Sequence, residues 1–175
     1  MGLNAATIDA IAARAGVSRR TFFNYFASKE DAVLGTQPPV LPEAAIDAFD
    51  ESSDGLFVRT LRLLAEVSMT AFRDDVDLIR RRDLAKRYPE LRVRLMQHVS
   101  SAEQLVEALI EERVQSGRVS LGADSEPDAI RALLIVAGAA IRLIYSRNPS
   151  LASVPSPAEL ENVTSLFRTV TKEAP

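Results

Sequence analysis

The chain has 175 residues, 47% of them hydrophobic and 26% charged, with a formal net charge of -3. That is enough for one ordinary core, or for a small module beside a larger one. It contains no cysteine and one histidine, His98, which excludes disulfides, thiolate nucleophiles and cysteine metal sites and argues against a Ser-His-Asp triad or a multi-histidine metal centre. No apolar run approaches the roughly 18 residues needed to cross a bilayer, and the N-terminus lacks the basic-then-apolar pattern of a secretory signal. The expectation is a cytoplasmic protein that is not an enzyme and has no cofactor, metal or membrane partner. Charge is uneven: residues 1–36 hold four basic against three acidic side chains, whereas the remainder holds 17 against 21. The N-terminal piece is thus mildly basic and the rest acidic.

Helical periodicity dominates, and no strand is predicted. The first helix is expected from Thr7 to Ala15. Thr7 suits the N-cap, Gly16 suits the left-handed residue beyond the last turn, and Ile8, Ile11, Ala12 and Ala15 repeat at i, i+3, i+4, i+7. Ser18 caps a second short helix to about Tyr25, with Val17 and Phe22 spaced as a hydrophobic staple. Ser28 caps a third, with Asp31 at its third position in a Ser-x-x-Asp box. The stretch Thr36 to Pro42, with Pro38, Pro39 and Pro42, reads as a linker. The division expected is therefore residues 1–36, a linker at 37–42, and residues 43–175. Beyond the linker, helices are predicted near 43–50, 55–72, 75–87, 90–116, 127–146 and 157–172, with prolines at or near their boundaries. The fold class is all-α, a small N-terminal unit followed by a larger helical one.

Helix, short turn Gly16-Val17-Ser18, helix is the arrangement that presents a second helix to the DNA major groove. At 100° per residue, Phe22 and Phe26 share the inner side of that helix. Arg20 and Asn24 then point the other way, flanked by Thr21 and Phe23. Arginine can bond a guanine edge with two hydrogen bonds, and asparagine an adenine edge. The plain alternative is a solvated helix surface. Lys29 follows the Ser28 cap at a helix N-terminus, where the backbone dipole disfavours a cation unless a phosphate sits there too.

The run Thr7-Ile8-Asp9-Ala10-Ile11-Ala12-Ala13-Arg14-Ala15-Gly16-Val17-Ser18-Arg19-Arg20-Thr21-Phe22-Phe23-Asn24-Tyr25-Phe26-Ala27-Ser28-Lys29-Glu30-Asp31 resembles the DNA-binding domain of TetR-family transcriptional regulators. The turn Ala15-Gly16-Val17-Ser18 and the run from Tyr25 to Glu30 are its specific parts. The resemblance implies that Ser18, Arg20, Thr21, Phe23, Asn24 and Tyr25 face DNA with Arg19 beside them, and that Lys29 holds a phosphate. Phe23 stands where the family commonly has tyrosine. Family members also carry a further helix in front, and Gly2 to Thr7 resembles its ending. The expectation is that Met1 corresponds to an internal methionine of a longer reading frame, or that the chain was cut short there, and that DNA affinity suffers without that helix.

The remainder resembles TetR-type ligand-binding and dimerisation domains in layout. Leu78 to Leu95, with Arg80-Arg81-Arg82 and Tyr88-Pro89-Glu90-Leu91-Arg92, looks somewhat like members that respond to acyl-CoA. Its arginines would meet a phosphate or an acidic ligand, or else form a solvated face paired with Asp83 and Glu90. Two apolar stripes are the dimerisation candidates. One contains Leu134, Ala137, Gly138 and Ile141, the other Leu160, Val163 and Phe167, and plain intramolecular core is the alternative for each. An apolar effector pocket is expected among Met69, Phe72, Met96, Val99 and Tyr145, with His98 or Arg142 orienting a polar group. The leading reading is a homodimeric repressor on a palindromic double-stranded operator, released by a small apolar or acyl-type effector. The alternative is a helical small-molecule-binding or interaction protein with impaired DNA binding. An all-α enzyme lacks any converging catalytic constellation.

Overall fold

The computed structural model describes residues 6–72, 78–121, 128–147 and 155–171. Among the described residues the chain forms nine helices: α1 (Ile8–Arg14), α2 (Arg19–Tyr25), α3 (Lys29–Leu34), α4 (Glu43–Glu51), α5 (Leu56–Thr70), α6 (Leu78–Arg87), α7 (Pro89–Gln115), α8 (Ala129–Arg147) and α9 (Pro157–Thr171). The only extended pairing among those residues is an isolated bridge between Thr36 and Phe72. The class is all-α. Each expected helix is present to within a few residues; the ends predicted at 75, 127 and 172 fall outside the described residues.

Local chemistry accounts for the boundaries. Pro89 and Pro157 occupy first-turn positions, where the missing N–H costs nothing. Ser156 and Glu159 close a reciprocal capping box, with the Ser156 amide and hydroxyl both reaching Glu159 Oε2 at 2.8 Å. Helix α5 lies at the centre, packed against α4, α7, α8 and α9. Leu61, Leu64 and Val67 of α5, Val106 and Ile110 of α7, Ala137 of α8 and Leu160 of α9 share one core. Each buried leucine, isoleucine or valine among them contributes about 1.5–3 kcal/mol. At the far end of α7, Arg113 clasps Asp50 of α4 with Nε and Nη2, each at 2.8 Å.

The stretch after α3 is tied down along its length. Gly35 takes the left-handed conformation (φ 62°) that ends α3. Gln37 N–H then donates to Ala71 carbonyl at 2.9 Å, and Val40 N–H to Thr70 Oγ1 at 2.9 Å. The proline-rich segment therefore runs against the end of α5 and does not hang free as a linker.

The expected dimerisation stripes need correction. Leu134, Ala137, Leu160 and Val163 are buried in this chain's own core, and Ile141 and Phe167 pack against it. Gly138 is buried too, and a Cβ placed on it would lie 2.8 Å from Glu103 Oε1 of α7. In a multi-helix body the most apolar stripe of each helix is consumed first by its own neighbours; periodicity reveals a stripe but not its partner. The outward apolar residues of these two helices are Ile135 (59% exposed), Val136 and Val170 (73%).

Candidate nucleic-acid interface

The helix-turn-helix is built from backbone chemistry outward. Thr7 Oγ1 accepts from Ala10 N–H at 3.2 Å to start α1. At its end Val17 N–H reaches back to Ala12 carbonyl at 3.0 Å, and Gly16 N–H to Ala13 carbonyl at 3.1 Å. This is the paired arrangement that a left-handed residue permits, and Gly16 supplies it with φ 68°. The chain turns there, and Ser18 Oγ caps α2 by accepting from Thr21 N–H at 3.0 Å. The Ser18 and Thr21 hydroxyls share a further hydrogen bond of 2.8 Å.

Helix α2 presents two unlike faces. Phe22 is buried and meets Phe26 at 5.7 Å between ring centroids and Phe23 edge-on at 5.6 Å. Arg19 turns back to α1, where its Nη1 contacts both oxygens of Asp9 at 2.9 and 3.0 Å while its guanidinium lies 5.5 Å over the Phe23 ring. Exposed ion pairs of this kind contribute at most about 1 kcal/mol, so its role is chiefly to align the two helices. Arg20 and Asn24 are exposed one turn apart. Among the described residues, neither side chain has a hydrogen-bond partner. Phe23 and Tyr25 are exposed beside them. The outward side of α2 thus offers a guanidinium, a carboxamide and a phenol, and this chemistry can read base edges. Lys29 opens α3, with Nζ 3.4 Å from the Ala6 carbonyl.

Beneath this surface lies a group whose tertiary role the sequence did not reveal. Asp31 has the local capping role expected: its amide donates to Ser28 Oγ at 3.0 Å, and the Ser28 hydroxyl donates back to Oδ2 at 2.9 Å. Its carboxylate is also fully buried and accepts from three other side chains. Thr36 Oγ1 donates to Oδ1 at 2.8 Å. From α7, Arg94 donates through Nε to Oδ1 at 2.9 Å and through Nη2 to Oδ2 at 2.6 Å, and His98 Nε2 lies 2.7 Å from Oδ1. An ionised carboxylate only accepts, so Nε2 of His98 is the donor in this contact. Burial alone would raise the Asp31 pKa. The hydrogen bonds from Arg94, His98, Thr36 and Ser28 outweigh it and hold the carboxyl well below the usual carboxylate range. Nearby, Arg81 Nε donates to the Leu34 carbonyl at 2.6 Å, and its guanidinium lies 4.6 Å over the Phe72 ring. A cation at the last carbonyls of a helix also meets its negative dipole end. Asp31 looked like a local cap and Arg81 like part of a charged run, and Arg94 was not singled out; nothing in the spacing showed that they meet around α3.

The expected effector residues are scattered. His98 is committed to Asp31, Phe72 stacks on Arg81, Met96 is exposed, and Met69 and Val99 are partly buried. Arg142 is exposed near Glu103; the side chain of Tyr145 lies outside the described residues. Two clefts bounded by described residues stand out, and none of the other six lines either. One is a small gap between α4 and α5, lined by Ala45, Phe49, Arg59 and Glu66 among others. The other, about 420 Å3, opens between α7 and α8 and is lined by Ser100, Glu103, Gln104, Glu107, Arg131, Leu134 and Ile135. It is more polar than the expected pocket. Burial pushes the Glu103 carboxyl up in pKa, Arg142 pulls it down, and the Glu107 charge adds to the rise.

Residues 1–34 match the family model of bacterial regulatory proteins, tetR family. No curated protein and no solved structure matches the chain. The match spans the helix-turn-helix and supports a DNA-binding transcriptional regulator of that family. No helix among the described residues is long and apolar enough to cross a membrane.

Proposed function

We propose that this chain is a ligand-responsive repressor that binds a palindromic double-stranded operator as a homodimer and leaves it when a small effector binds. The observation that carries the DNA reading is the outward Arg20–Asn24 pair. It sits on a helix held by two caps, a glycine turn and a buried phenylalanine, and it has no hydrogen-bond partner among the described residues. Arg20 and Asn24 read base edges; Ser18, Thr21, Phe23 and Tyr25 border them. Lys29 holds a backbone phosphate and fixes the register. Arg19 is engaged by Asp9 and acts on the orientation of α2. Ile135, Val136 and Val170 supply apolar surface for a second copy through α8 and α9, which would set two recognition helices about 34–36 Å apart.

The effector site is placed in the cleft between α7 and α8, whose volume lies in the range of small-molecule sites, about 300–1,000 Å3. An acyl-CoA-type ligand is the weaker fit, because Arg81 and Arg94 from the arginine-rich segment already serve Leu34 and Asp31. To shift the protein from almost wholly bound to almost wholly released, an effector needs about 5.5 kcal/mol of differential affinity between the two conformers.

The test is duplex selection from a random-sequence library, followed by anisotropy titrations over a range of salt. Arg20→Ala should relax the preference at one base position, at a cost of about 1–3 kcal/mol against the best sequence. Lys29→Ala should weaken binding to all sequences and lower the salt slope by about one. Parent-like binding by both variants refutes the assignment.

A further inference from the structure

Among the substantial helix–helix contacts of the described residues, α3 against α7 is the one that joins α1–α3 to the rest of the molecule. At its heart is the Asp31 carboxylate, fully buried and bonded to Arg94 and His98 one turn apart on α7. We infer that Asp31 is a positioning residue for DNA recognition: its joint with Arg94 and His98 fixes the orientation of the helix-turn-helix on α7, and with it the operator half-site spacing that two copies accept. The inference rests on the dimeric DNA-binding reading above.

The joint is suited to fixing an angle as well as holding a contact. Arg94 meets Asp31 with a planar fork, one nitrogen to each carboxylate oxygen, so rotation of α3 about the contact breaks at least one bond. His98 pins Oδ1 from one turn further along α7, and Thr36 pins the same oxygen from beyond α3. Helix α3 is only six residues long and follows α2 after three residues, so a tilt of α3 carries the recognition helix with it. Arg81 on the Leu34 carbonyl holds the other end of the same short helix. Helix α7, 27 residues long, also forms one wall of the cleft at Ser100, Glu103, Gln104 and Glu107. The element that holds the DNA-reading unit is thus the element an effector in that cleft would touch.

For two recognition helices on one duplex, each base pair of spacing is about 3.4 Å of rise and about 35° of rotation. A stiff joint makes wrong spacings costly, and a slack one lets the units swing to meet them. The half-site selected by the parent chain is placed in duplexes as a single copy, and as inverted pairs whose spacing changes one base pair at a time. The parent should favour one spacing by roughly tenfold or more over its neighbours. Asp31→Asn and Arg94→Gln should flatten that preference to within about threefold while single-half-site affinity stays within about twofold. A general loss of folding would lower both together. Arg94→Lys, which keeps the charge and loses the fork, serves if the other two do not fold; it too should flatten the preference. Variants that fold and keep the parental spacing preference overturn the inference. A parent that binds no duplex, or that shows no spacing preference, overturns the dimeric regulator reading itself.

Discussion

Replacing Arg94 by methionine removes the guanidinium from Asp31 and leaves a side chain of comparable length. The Asp31 side chain is 0% exposed and that of Arg94 24%, so the change leaves a buried carboxylate short of its two-point partner. Removing one member of a buried ion pair costs about 3–5 kcal/mol. Here His98, Thr36 and Ser28 still serve the carboxylate, and Arg94 retains some water contact, which places the loss at or below the bottom of that range, about 2–3 kcal/mol near neutral pH. For a chain of this length each kcal/mol moves the thermal midpoint by about 2–4 °C, so the variant should melt roughly 4–12 °C lower. The deficit should also depend on pH. The folded-state pKa of Asp31 lies below its ordinary value of 3.8, so its contribution is complete above that value and is lost as pH falls through the folded one. Without Arg94 the folded-state pKa rises, and the variant sheds its unpaired charge at a higher pH than the parent does. The two stability curves should therefore converge as pH drops below about 4. Thermal unfolding followed by far-UV circular dichroism from neutral to acidic pH measures both quantities. A deficit that stays constant over that range refutes the account, because it would then arise from packing and not from the carboxylate charge.

Two further outcomes concern the α7–α8 contact. Gly138→Ala places a methyl group 2.8 Å from Glu103 Oε1 and 3.4 Å from Arg142 Nη1, both at the ends of long side chains that can move aside. Alanine in a helix interior gains about 0.5–1 kcal/mol over glycine, so chemical denaturation should find the variant equal to the parent or more stable. A loss above about 2 kcal/mol would show that the glycine is needed for close backbone approach. Glu103→Gln should raise the thermal midpoint near pH 7. The folded-state pKa of Glu103 is raised by burial, so ionisation weakens the fold as pH rises through that value, and the gain should vanish below about pH 4. A gain equal at both pH values would assign the effect to something other than charge.

Most of the local architecture was legible in the amino-acid sequence, because it depends on neighbours along the chain. Thr7, Ser18 and Ser28 cap the helices expected of them, and Gly16 provides the left-handed turn between α1 and α2. The inward Phe22 and the outward Arg20 and Asn24 followed from helical geometry alone. The same reasoning could not assign partners across the fold. Leu134, Ala137, Leu160 and Val163 read as an interface stripe and pack in their own core, because periodicity marks an apolar face without saying which helix covers it. His98 read as a pocket residue and Asp31 as a local cap. Only the approach of α7 to α3 brings them together, across 67 residues of chain. Caps and turns are settled over three or four residues by hydrogen bonds the backbone must make; a buried carboxylate acquires its donors only when distant helices pack, and that packing decides what the recognition helix is anchored to.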